Sequence, residues 1–141
     1  MKIVEVDKKM AETKYGKYLK THSITDAPFG PVFNFSGEED FQSDFSMFAI
    51  YVTEAVLIEE TAHSHDFDMY LVFCGSDPDN MNDLGAEIEL SFGEEEEKHI
   101  ITIPTVVYIP KGLKHCPLNF KKVDKPVMFL HATLAPKYVK L

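Results

Sequence analysis

Apolar residues in this chain come in short runs, and clusters of turn-forming residues separate them. Asp26-Ala27-Pro28-Phe29-Gly30-Pro31 is a turn cluster, and Val32-Phe33-Asn34-Phe35 after it reads as a short strand. Met47 to Val52 and Ala55 to Ile58 are rich in strand-favouring residues. Met69 to Cys74 is almost wholly apolar and stops at Gly75, which predicts a strand covered on both faces. Gly75 to Gly85 is full of Asp, Asn, Pro and Gly and predicts a loop. Glu87 to Phe92 alternates polar and apolar, the pattern of a half-buried strand. Gly93 and the acidic run Glu94 to Glu97 predict a solvated hairpin tip, and Ile100–Ile103, Val106–Ile109 and Val127–Thr133 complete the set. Long helical periodicity and internal repeats are both missing. Many short strands with frequent turns predict an all-β fold, an antiparallel barrel or sandwich.

A length of 141 residues suits one domain with one core, and eleven phenylalanines are ample to fill it. The polar, lysine-rich residues 1–22 are expected to form an arm or edge strand ahead of a β-barrel domain over 23–141. A formal net charge of −9 argues against nucleic acid and anionic membrane surfaces as partners. The first twenty residues are charged throughout, with no apolar core of a secretory signal, and no apolar stretch reaches membrane-spanning length. These features predict a cytoplasmic protein in which Cys74 and Cys116 are reduced thiols.

The chemistry concentrates in two segments. In His63-Ser64-His65, two imidazoles one residue apart on an extended strand would point the same way. In Pro110-Lys111-Gly112-Leu113-Lys114-His115, a third imidazole follows a Pro-x-Gly turn, expected to be of type I with Pro110 second and Gly112 at its end. A folded sheet can bring the three together, and three neutral imidazoles converging on one point suit a divalent transition metal. Cys116 directly follows His115, so regular alternation would turn it away as a buried structural thiol. Asp68 either caps a turn at Asp66-Phe67-Asp68 or joins the metal site. Tyr70, Val72 and Cys74 share its face on a regular strand, so Tyr70 would present a phenol to a substrate or fill the barrel. His131, within Phe129-Leu130-His131-Ala132-Thr133, is a core residue or a substrate contact. His22 and His99 look peripheral.

These segments resemble the two motifs of the cupin superfamily, in particular its small single-domain barrels. His63 and His65 match the histidine pair of the first motif, and leaving six residues before Gly75 puts its acid on Asp68, an aspartate where the family has glutamate. Leu57 stands where that motif opens with glycine. Pro110, Gly112, His115 and Asn119 match the later part of the second motif, and Pro104 replaces its first glycine. The resemblance spans roughly Ala55 to Thr133. It implies a jelly-roll β-barrel with a divalent metal (iron, manganese, nickel or zinc) held by His63, His65, Asp68 and His115.

The resemblance implies a metal-dependent enzyme acting on a small organic substrate inside the barrel. The family includes dioxygenases, isomerases and decarboxylases, so the fold does not choose among them. The competing expectation is a non-catalytic module that binds a small ligand or metal. An acid–base side chain in the cavity besides the metal ligands separates the two, and Tyr70 and His131 are the sequence's candidates. The charged arm and an exposed barrel edge predict a homodimer.

Overall fold

The computed structural model describes residues 13–21 and 23–140. Most of the expected N-terminal arm, and His22, lie outside them. From Gly16 to Tyr18 the chain makes one 3₁₀ turn. Ten strands follow, in the order β1 Ser23–Ala27, β2 Gly30–Ser36, β3 Ser46–Val52, β4 Val56–Glu59, β5 Met69–Cys74, β6 Ala86–Phe92, β7 Glu97–Ile101, β8 Thr105–Ile109, β9 His115–Val123 and β10 Val127–Thr133. They form a six-stranded sheet, β1-β2-β3-β10-β5-β8, and a four-stranded sheet, β4-β9-β6-β7. All pairings between these strands are antiparallel. The fold is an antiparallel jelly roll whose two sheets face one another.

Alternation along each strand decides what enters the space between the sheets. On β6, Ile88 and Leu90 are fully buried. On β10 and β5 the inward residues pair across the sheet, Phe129 with Phe73 and His131 with Leu71. The rings of Phe73 and Phe129 stack at 5.1 Å, and Phe120 of the opposite sheet packs on both at 5.9 and 5.8 Å. Each fully buried ring contributes about 1.5–3 kcal/mol through apolar area removed from water. This aromatic cluster bridges the sheets and leaves their other end to polar residues.

Two sequence expectations are corrected here. β5 is not covered on both faces: Met69, Leu71 and Phe73 are buried, whereas Tyr70 and Cys74 are exposed. An all-apolar run hides its own phase, and the outward face of β5 simply keeps apolar side chains. Tyr70 therefore lies outside, where it packs on Tyr108 of β8 at 5.2 Å. The second correction concerns the tip before β7. The hairpin turns at Gly93–Glu96, and Glu97 already pairs with Phe92 as the first residue of β7.

Candidate metal centre

His63 and His65 lie on the connection between β4 and β5, not within a strand. Backbone pairing still fixes them. His63 N–H donates to the His115 carbonyl at 3.0 Å, and His115 N–H returns the bond at 2.9 Å. Gly112 N–H donates to the His65 carbonyl at 2.9 Å. The turn that carries His115 runs from Pro110 to Leu113, closed by a 3.0 Å bond between them. Gly112 sits third in that turn with φ +85°, which makes it type II rather than the expected type I. A left-handed residue is needed there, and glycine supplies it without a Cβ penalty.

The result is a cluster of three imidazoles. Ring centroids lie 4.8 Å apart for His63 and His65, 4.6 Å for His63 and His115, and 5.0 Å for His65 and His115. Each Nδ1 has a backbone carbonyl as its partner: Thr61 at 2.8 Å for His63, Val139 at 2.7 Å for His65 and Leu113 at 2.9 Å for His115. A carbonyl only accepts, so each Nδ1 carries a proton, and in a neutral ring the lone pair is then on Nε2. Nε2 of His65 and Nε2 of His115 are buried without any partner. His63 Nε2 accepts from the Tyr138 hydroxyl at 3.2 Å. Burial holds the His115 pKa down at about 4 and lowers that of His65 as well, so both rings stay neutral near pH 7.

Cys116 is buried, as expected, but it does not turn away. Its φ of +80° breaks the strand alternation, at a register shift where Phe92 of β6 opposes His115 and Leu90 opposes Leu118. Its Sγ and donor nitrogens of His63 and His115 all lie within 4.8 Å of one another. Burial pushes the thiol up to about 12, so it is protonated as it stands.

Asp68 does not join this group. One carboxylate oxygen accepts from Lys111 N–H at 2.8 Å, and its backbone carbonyl accepts from Leu134 N–H at 2.9 Å. The exposed Tyr108 phenol stands near the same carboxylate, and desolvation together with that negative charge raises its pKa. Asp68 thus caps the Pro110–Leu113 turn from behind. The face expected for the acid, shared with Tyr70 and Cys74, is the outer one.

The carboxylate that does line the cavity is Glu59, at the end of β4. Lys140 holds it at 2.7 Å and Thr61 N–H donates to it at 3.1 Å. Its pKa is lowered by these bonds, which outweigh the opposing effect of burial. Tyr138 is the other unforeseen member, its ring 4.7 Å from that of His65 and 4.9 Å from that of His131. His131 is buried and stacks on Phe48 at 4.4 Å, and burial keeps its pKa near 3. The cavity of about 220 Å³ beside the cluster is lined by His63, His115, Cys116, Glu59, His131 and Tyr138, with an apolar floor of Met69, Leu71 and Phe129. Imidazoles with protonated Nδ1 and two orphaned buried Nε2 atoms fit a divalent transition metal.

Comparison with solved structures places this geometry in a known fold. The chain superposes on the oxalate decarboxylase of Bacillus subtilis, solved in a study of its Mn(II) centres, with a TM-score of 0.56 at 11% identity, covering 84% of this chain and 28% of that one. A second oxalate decarboxylase structure, solved to define substrate binding and reaction specificity, gives 0.55 at 14% identity, covering 84% and 29%. The chain has the cupin fold. It spans under a third of the length of those decarboxylases. No family model matches the sequence, and no curated protein does. Within the cupin fold the histidine cluster lies between the two sheets, at the end that the aromatic core leaves open. Among the described residues, no helix is long and apolar enough to cross a membrane.

Proposed function

We propose that the cluster holds a divalent transition metal through Nε2 of His63, His65 and His115, and that the chain is a metal-dependent enzyme acting on a small organic molecule in the adjoining cavity. The observation that carries this reading is the pair of buried, partnerless Nε2 atoms on rings whose Nδ1 protons are already spoken for. A buried acceptor without a partner costs about 1–3 kcal/mol, and metal coordination offsets that cost. The neighbouring decarboxylase structures contain Mn(II), which supports manganese among the candidates iron, manganese, nickel and zinc.

When bound, the metal supplies Lewis acidity and open coordination positions. The chain supplies the rest. The Thr61, Val139 and Leu113 carbonyls hold each imidazole in one tautomer and orientation. The Phe129–Leu71 floor excludes water below the site. Glu59, ionised and tethered by Lys140, stands ready to accept a proton at a carboxylate oxygen. His131, neutral, presents a ring against the same space. Glu59 and His131 are acid–base groups beyond the ligand set, which favours an enzyme over a passive metal or ligand store. Tyr70, on the outer face, has no part in it. Residues 23–141 are taken as the cupin-like domain, located in the cytoplasm and paired as a homodimer. The exposed, uncharged side chains of Tyr51, Tyr70, Val106 and Tyr108 on the outer face of the large sheet support the pairing.

Elemental analysis of protein loaded with manganese, iron and zinc in turn tests the site. We expect about one metal per chain in wild type and its loss when His65 or His115 becomes Ala. Full occupancy in both variants would reject the site. Sedimentation at micromolar concentration tests the pairing, with twice the 16.0 kDa chain mass expected and the single-chain mass rejecting it.

A further inference from the structure

A second cavity, of about 280 Å³, lies on the other side of Tyr138 from the histidine cluster. The two cavities share Phe48, His131 and Tyr138 as a common wall. The chemistry of the second is different. Ser36, Ser46 and Thr133 stand at matched register on β2, β3 and β10, so their side chains form one inward row across three strands. Ser36 already donates to the Pro136 carbonyl at 2.8 Å. Ser46 is 5% exposed and Thr133 is 1% exposed, and the hydroxyls of both have no hydrogen-bond partner. Two adjacent buried orphans lining one cavity are a rarity in native proteins, where buried polar groups are satisfied.

The rim narrows the class of molecule that would satisfy them. Lys20 is paired with Asp40 at 3.5 Å and Lys137 with Glu38 at 3.5 Å, and the Glu39 carboxylate also lines the cavity. Neither ammonium is left over for an anion, and the extra carboxylate opposes one. A cation would leave the two O–H donors without acceptors. A neutral hydroxyl-bearing molecule meets both needs, because its oxygens accept from Ser46 and Thr133 and its own O–H groups donate to Glu39 or to the side-chain carbonyl of Asn34. Phe35 and Phe48 supply an apolar wall for its carbon face.

We propose that this hydroxyl-lined cavity is a binding site for a small uncharged polyol or monosaccharide, held by Ser46 and Thr133. It deepens the enzyme reading, on which it rests for one point only: a ligand seated here abuts His131 and Tyr138, the wall it shares with the histidine cluster, and so belongs to the same reaction chamber.

The test is NMR titration of the metal-loaded full chain with glycerol, xylose and glucose, and with succinate as the charged control. At least one of the neutral probes is expected to shift the amide signals of Ser46 and Thr133, while succinate leaves them in place. Thr133→Val keeps the volume and removes the hydroxyl; it is expected to weaken probe binding at least tenfold, to leave metal content unchanged, and to raise the melting temperature of the probe-free protein. Ser46→Ala supplies a second reading should Thr133→Val fail to fold. Absence of shifts with all three neutral probes, stronger shifts with succinate, or unchanged probe binding in both variants would overturn the proposal. Failure of the metal site is a separate result: His115→Ala without metal is expected to keep probe binding, since His115 does not line this cavity.

Discussion

His65 and Asp68 stand three residues apart in one short connection, yet they face opposite worlds. His65 is 2% exposed, with one ring nitrogen tied to the Val139 carbonyl and the other left bare in the interior. Asp68 turns its carboxylate to the outside, where it accepts from Lys111 N–H. The difference shows that ligand sets are built by backbone direction, not by spacing along the chain. Directly after Asp68 the chain stops behaving as a loop and enters β5, whose inward phase starts at Met69. The inner side of the connection serves the cluster, and the outer side braces the turn that delivers His115.

The comparison is sharpened most by removing an inner ligand. His63→Ala, His65→Ala and His115→Ala are each expected to weaken metal binding by more than about 100-fold, since even the partners that orient such ligands are worth 10–100-fold. Competition with a chelator measures this, and a change of less than tenfold in all three would break the contrast.

Acid should distinguish the two sides next. His115 is held near pKa 4 and His131 near 3, both below the ordinary value of 6.5. In the unfolded chain these rings take up protons from pH 6.5 downward, while the folded protein does not until about pH 4. The unfolded state therefore binds more protons, and stability falls as pH falls through that window. The metal-free protein is expected to lose roughly 3 kcal/mol for each of these two rings between pH 6.5 and 4, read by urea unfolding. A flat profile would place these imidazoles in water.

Smaller effects probe the brace. Gly112→Ala forces a side chain into a left-handed turn position with open space around it, since no heavy atom lies within 4 Å of the new Cβ. The cost is conformational only, about 1–2 kcal/mol, seen as a lower urea midpoint. Asp68→Ala removes the acceptor for Lys111 N–H and is expected to cost about 1 kcal/mol without changing metal content. Asp68→Asn retains an acceptor and should change neither.

Much of this was legible in the sequence. Alternation at Glu87–Phe92 and the turn clusters marked the strands, and the three histidines were found by type and spacing. The errors share one cause, which is misplaced parity. The ligand alternative for Asp68 and the cavity reading of Tyr70 both count parity through a loop and along an apolar strand that carries no polar mark of its phase. Cys116 was turned away because alternation was assumed across a residue that takes a left-handed conformation. Glu59 and the segment Tyr138–Lys140 carried no local signal at all. Their contacts with the cluster close over long stretches of chain, as in the Lys140 to Glu59 pair, and only the folded sheets bring them together.

The central claim is that the inner histidines, and not Asp68, form the metal site. Its most direct test is manganese content and affinity in wild type, His65→Ala and Asp68→Asn, prepared side by side at neutral pH. Wild type and Asp68→Asn are expected to bind one equivalent with equal affinity, and His65→Ala none. Loss of manganese in Asp68→Asn, or its retention in His65→Ala, would contradict it.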